Sequence, residues 1–259
     1  MSQATQKFLR FQSPGGPVCG ELEGETVFPI RGDLFGDWER TGESLPLSEV
    51  ELLYPVEPEK ILCVGLNYMS HLRDRPKPSV PQLFYKPKTA LQHPGGEIKL
   101  PKDSKDVHFE AELVIVMGKT ADDVSVEHAE EYIFGYTCGN DVSERNWQHG
   151  SQGDKADKQW WRAKGSNTFG PLGPVIATGL DIPNCRIEGR LNGEVKQEQM
   201  LSDLIFPPAE IVSFVSRYVR LEPGDVIYTG TPGNTTAMKP GDVYEVEIEG
   251  IGVLSNSVA

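Results

Sequence analysis

No apolar run in this 259-residue chain approaches the ~18 residues that a membrane-spanning helix needs. The opening residues, MSQATQKFLRFQ, hold no apolar signal core, so neither a membrane span nor an export signal is expected. Cysteine is scarce. Cys19, Cys63, Cys138 and Cys185 lie scattered and form no Cys-x-x-Cys pair, which speaks against a zinc site or a disulfide frame and for reduced thiols in a cytoplasmic protein. Positive charge is short as well: 25 Lys and Arg face 38 Asp and Glu, and the net charge is −13. No dense Lys/Arg run offers a phosphate-binding stripe, so nucleic acid and anionic membranes are not expected partners. Gly-x-Gly-x-x-Gly and P-loop patterns are missing too. An acidic protein that takes an acidic metabolite must create positive charge locally, from a metal or a few basic side chains.

Turn residues are plentiful, with 27 Gly and 20 Pro. Between them run short alternating or apolar stretches that predict strands: KFLRFQ and TVFPI near the N-terminus, KILCVGL (60–66), LFYKP (83–87), AELVIVMGK (111–119), YTCGNDVS (136–143), DVIYTGT (225–231) and DVYEVEIEG (242–250). Convincing helices are few. Residues 125–133 begin with a Ser N-cap, and 209–219 place Ile211, Val212, Phe214, Val215, Tyr218 and Val219 on one stripe behind two prolines. Long helices are too few for a doubly wound α/β fold. The expectation is a β-rich α+β chain, with a small N-terminal β domain over 1–55, a linker near YPVEPEK (54–60) and a main body over 56–259. The Gly-Pro punctuation of FGPLGP (169–174) predicts turns, and Trp147, Trp160 and Trp161 are expected to pack.

One strand carries an anomaly. In HFEAELVIVMGK (108–119), Phe109, Ala111, Leu113 and Ile115 share one face, while Glu110 and Glu112 share the other with Val114 and Val116. Side chains two apart stand about 6.6 Å apart along a strand, so two carboxylates meet. A solvent-facing edge explains them if the strand end is exposed. If it is buried they need a cation, because like charges otherwise push one pKa up. Asp141, in CGNDVSERNWQ (138–148), closes a second apolar stretch. It is either a turn cap or a third oxygen ligand. Three carboxylates form an oxygen-only set that suits Mg²⁺, with Mn²⁺ or Ca²⁺ as substitutes.

The motifs His-x-Glu-x-Glu-Leu (108–113), ending in Gly118-Lys119, and Asn-Asp-Val-Ser-x-Arg (140–145) resemble the fumarylacetoacetate hydrolase superfamily. The likeness runs on through KILCVGLNYMSHLRD (60–74), LFYKPKTA (83–90), RAKGSNTFGPLGP (162–174), LNGEVKQ (191–197) and GDVIYTGTP (224–232), and covers roughly 55–259. It implies a mixed β-roll fold with short helices, and a homodimer. It also implies Glu110, Glu112 and Asp141 as metal ligands and Lys164 as the active-site lysine, whose other reading is a surface lysine. Arg145, Gln148 and Thr231 are implied as substrate contacts, Thr231 otherwise being a turn hydroxyl. In NYMSHLRDRPKPSV (67–80) it implies a lid with a water-activating dyad, His71 and Asp74, where relatives carry Glu in place of Asp74. Arg73, Arg75 and Lys77 make that lid basic. The implied activity is metal-dependent cleavage of a C–C bond in an acylpyruvate-like 2,4-dioxo acid. Isomerisation or tautomerisation of a 2-hydroxymuconate-type acid and decarboxylation of oxaloacetate are the rivals. A non-catalytic scaffold around a structural metal is a further rival, and it leaves His71 and Lys164 without a purpose.

Overall fold

A computed structural model describes residues 5–72, 75–153 and 155–259. Two large β-sheets dominate it. The first runs, in neighbour order, through Trp38–Arg40, Thr26–Gly32, Gly16–Glu23, Lys7–Ser13, Gly170–Ala177, Ile133–Asn140, Ala111–Met117, Val226–Tyr228, Ile61–Gly65 and Gln82–Tyr85. The second has five strands in the order Glu97–Ile98, Gly252–Val258, Val243–Ile248, Arg186–Leu191 and Glu194–Met200. Most neighbours are antiparallel, but Val226–Tyr228 runs parallel to Ile61–Gly65, so the first sheet is mixed. The N-terminal strands extend that sheet through Phe8 paired with Ile176.

The alternation read along 109–117 sets the layering. Ala111, Leu113, Ile115 and Met117 pack into a core shared with Tyr244, Val246, Ile248 and Leu254 of the second sheet. Val114 and Val116 face the opposite core, with Cys63, Tyr228 and Ile176. Every residue of this strand is buried. Full burial of each large apolar side chain contributes roughly 1.5–3 kcal/mol. The neighbouring strand must come close: a Cβ on Gly139 would lie 2.4 Å from the Tyr228 ring and 2.5 Å from Val114 Cγ2. Only glycine fits there.

The expected strands are present, and several differences have physical causes. Residues 170–177 form a central strand, not a run of turns, because their backbone bridges Lys7–Ser13 and Ile133–Asn140. The 125–133 helix splits into an α-turn at Val126–Ala129 and a 3₁₀ turn at Glu130–Tyr132. The 209–219 helix spans Pro208–Ser216; Ile211, Val212 and Val215 are buried, whereas Tyr218 lies beyond its end at 74% exposure. Trp147 packs as expected and Trp161 does not, being 68% exposed. No helix among the described residues is long and apolar enough to cross a membrane.

Candidate active site and metal centre

The antiparallel register brings the three acids together. Ala111 pairs with Asn140 and Glu112 with Gly139, and the Asp141 amide donates to the Glu110 carbonyl at 3.0 Å. Cross-strand neighbours share a face, so the Asp141 side chain joins those of Glu110 and Glu112. Ligand oxygens of the three lie within 4.8 Å of one another, and all three residues are buried. A buried position excludes the solvent-edge reading of the Glu pair. Oxygen-only donors at this spacing fit a hard divalent cation.

Basic side chains surround the acids. Lys164 Nζ lies 2.9 Å from Glu110 Oε2 and 2.5 Å from Asp141 Oδ2, and 2.7 Å from Ser143 Oγ. Arg145 Nη2 is 2.6 Å from Glu110 Oε1, and Arg145 Nη1 donates to Gln148 Oε1 at 2.8 Å. Burial works to raise the Glu110 pKa, but the Lys164 and Arg145 charges overcome it and hold the carboxyl well below its usual range. Burial opposes the Lys164 charge, yet Asp141 and Glu110 outweigh it and raise the lysine. Among the described residues, Glu112 has no such basic side chain in contact. Its burial, with Asp141 and Glu110 nearby, pushes its pKa well up, and the Gly230 amide is its donor at 2.8 Å. Gly230 makes that contact at a φ of 98°, a left-handed conformation that suits glycine.

A cleft of about 350 Å³ opens over this cluster. Of the nine residues singled out in the sequence, Glu110, Glu112, Asp141, Lys164, Arg145, Gln148, Thr231 and His71 all line it. Asp74 lies outside the described residues, as does Arg73. His71 lies in the short Met69–Leu72 helix and places Nδ1 2.5 Å from the Gly233 carbonyl. That oxygen only accepts, so Nδ1 carries a proton and Nε2 is the basic nitrogen of the neutral ring. Thr231 donates to the Ala111 carbonyl at 2.8 Å and accepts from Gln197 Nε2 at 2.8 Å. Its hydroxyl thus caps a different strand, not its own turn.

Two residues of the site have no counterpart among those expected. Lys86 is buried, with its ammonium 2.7 Å from Asp141 Oδ1 and donating to the Phe169 carbonyl at 2.8 Å and to the Lys164 carbonyl. Alternation with the buried Phe84 places Lys86 on the inward face, which is the signal for it in LFYKP. Gln197 accepts from the Ala111 amide at 3.0 Å and the Tyr244 hydroxyl at 2.7 Å, and its Nε2 also reaches the Pro232 carbonyl at 2.6 Å. Its amide ties the second sheet to the start of the metal strand. Losing one partner of a buried ion pair costs roughly 3–5 kcal/mol. Lys86→Met is therefore expected to lower unfolding stability by about that amount in denaturant titration. An unchanged midpoint contradicts the pairing.

Residues 60–259 match the family model described as fumarylacetoacetate (FAA) hydrolase C-terminal, and residues 6–55 match Rv2993c-like, N-terminal. The chain is 41% identical over 262 residues to Protein Rv2993c of Mycobacterium tuberculosis, covering 96% of each. It is 40% identical to the mitochondrial oxaloacetate tautomerase FAHD2A of Bos taurus over 227 residues, which span 83% of this chain and 71% of that protein. Among solved structures, 5-carboxymethyl-2-hydroxymuconate delta-isomerase from Mycobacterium smegmatis superposes with a TM-score of 0.90 at 40% identity, over 98% of this chain and 99% of that one. With the family model spanning the whole region that holds the acids, the lysines and the cleft, the chain belongs to the fumarylacetoacetate hydrolase family.

Proposed function

We propose that the protein is a divalent-metal-dependent enzyme that forms and stabilises the enolate of a small anionic 2-oxo acid, and that its reaction is cleavage of a C–C bond in an acylpyruvate-like 2,4-dioxo acid. The observation that carries this reading is the convergence of three buried carboxylates, Lys164 and His71 on one cleft. A cation held by Glu110, Glu112 and Asp141 would supply Lewis-acid charge opposite the substrate's oxygens. Lys164 holds a fixed positive charge where an enolate oxygen develops negative charge. Arg145, braced by Gln148, meets the substrate carboxylate with a planar set of donors. His71 Nε2 takes the proton of a water that adds to the distal carbonyl carbon. The C3–C4 bond then breaks, its electron pair becomes the pyruvate enolate, and C3 takes a proton. Arg75 also lines the cleft and gives its mouth positive charge in an acidic protein.

A second reading, tautomerisation or double-bond isomerisation, is favoured by the names of the bovine tautomerase and the mycobacterial isomerase. It uses the same enolate without water. His71 separates the two. His71→Ala is expected to abolish acylpyruvate cleavage, with divalent-cation binding intact by calorimetry. Product analysis on an acylpyruvate, a 2-hydroxymuconate-type acid and oxaloacetate distinguishes hydrolysis from isomerisation. Full hydrolysis by His71→Ala removes the water-activating role.

A further inference from the structure

The cleft wall beside Arg145 carries a side-chain relay that the reaction above leaves without a role. His108 stands two residues before Glu110. Its Nε2 lies 3.0 Å from Asp106 Oδ1 and its Nδ1 2.8 Å from Thr235 Oγ1. Thr235 Oγ1 accepts from Arg145 Nη2 at 2.8 Å. A guanidinium only donates, so the threonine oxygen accepts there and its own proton is available to His108 Nδ1. Nδ1 accepts that proton when the ring hydrogen sits on Nε2, facing a carboxylate that only accepts. Each donor along the relay thus meets an acceptor.

The backbone stitches the same three segments. The Arg145 amide donates to the Asp106 carbonyl at 2.9 Å, Val107–His108 pairs with Ser143–Glu144, and the Met238 amide donates to the Val107 carbonyl at 2.8 Å. The segments are already joined without the side chains, so the relay adds orientation at one point, the guanidinium. Nη2 is shared between Thr235 and Glu110, and Nη1 is taken by Gln148. Without Thr235, Nη2 keeps only its Glu110 contact.

We propose that Asp106, His108 and Thr235 are positioning residues for Arg145, which fix the plane of its guanidinium for a substrate carboxylate. This rests on the reading of Arg145 as the carboxylate-binding side chain. The His at the head of the His-x-Glu-x-Glu run then serves substrate binding and not the metal.

The test measures the affinity of metal-loaded full-length protein for oxalate, a planar mimic of the pyruvate enolate, by calorimetry. Thr235→Val keeps the shape and removes the hydroxyl, and is expected to weaken oxalate about tenfold, the scale of one charge-assisted hydrogen bond. His108→Leu should do the same, and Thr235→Ser should restore binding. In an Arg145→Met background, Thr235→Val should add no further loss, because residues acting through one group are not additive. Magnesium affinity, titrated separately, should stay within about twofold in Thr235→Val, since no ligand oxygen is removed. Arg145→Met weakening oxalate while Thr235→Val is silent, or an equal loss from Thr235→Val in both backgrounds, overturns the positioning role alone. Unchanged oxalate binding in Arg145→Met overturns the carboxylate-binding reading and the relay with it. Should His108→Leu fold poorly, the Val and Ser pair at 235 decides.

Discussion

Glu112→Ala is expected to abolish divalent-cation binding: calorimetric titration of chelator-stripped protein gives one site per chain, and the variant gives none. Glu110 and Asp141 both carry basic partners, whereas Glu112, among the described residues, meets a single backbone donor. The residue is 1% exposed, and burial and its two acidic neighbours push its carboxyl pKa up. A dication beside the three carboxylates offsets that repulsion. Removing it leaves two oxygen ligands already engaged by lysine and arginine. Binding undiminished in Glu112→Ala contradicts the assignment of all three ligands.

Lys164→Met is expected to lower kcat by about 10²-fold or more, since a preorganised charge aimed at a developing oxyanion acts mainly in the transition state. The structure adds a cost that the residue's place in the sequence does not suggest. Lys164 is wedged between Glu110 and Asp141 with its side chain 3% exposed, so its loss leaves buried carboxylates short of a partner. The measurement is therefore made on magnesium-loaded protein, with thermal unfolding followed alongside. A fully folded variant with wild-type turnover means that the lysine is a charge partner of the acids and nothing more.

The Glu pair was legible because two carboxylates break an apolar strand, whereas Lys164, Arg145, Gln148, Thr231 and His71 break no local pattern and were legible only through the resemblance to the family. Two Glu in an apolar strand are anomalous at the level of period-2 alternation, and Asp141 meets them through simple antiparallel register. The strand's two-sided burial could be read from the same alternation. The 170–177 strand was not legible, since Gly and Pro are usual turn residues and only pairing on both sides keeps that backbone extended. Tyr218 fits a helical stripe by spacing, yet the helix ends at Ser216 and leaves it in solvent. Lys86 has only its alternation with Phe84 as a signal, which is weak because a lysine in a short strand is normally exposed; its burial depends on carbonyls from 164 and 169 that are distant in sequence. The strands at 186–191 and 194–200 were not among those expected; Asn192-Gly193, with positive φ at both residues, closes the hairpin between them. Thr235 meets Arg145 and His108 across 90 and 127 positions, and only the folded chain reveals that relay.

Enolate formation is the step that hydrolysis and tautomerisation share, and proton NMR in D₂O reads it directly. Magnesium-loaded protein is incubated with an acylpyruvate and with oxaloacetate, and deuterium incorporation at C3 is followed against the uncatalysed rate. Catalysed incorporation is expected with at least one of the two acids, lost on chelation and in Glu112→Ala and cut about 10²-fold in Lys164→Met. Incorporation no faster than background with both acids, or a rate indifferent to chelator and to both substitutions, contradicts metal-dependent enolate formation.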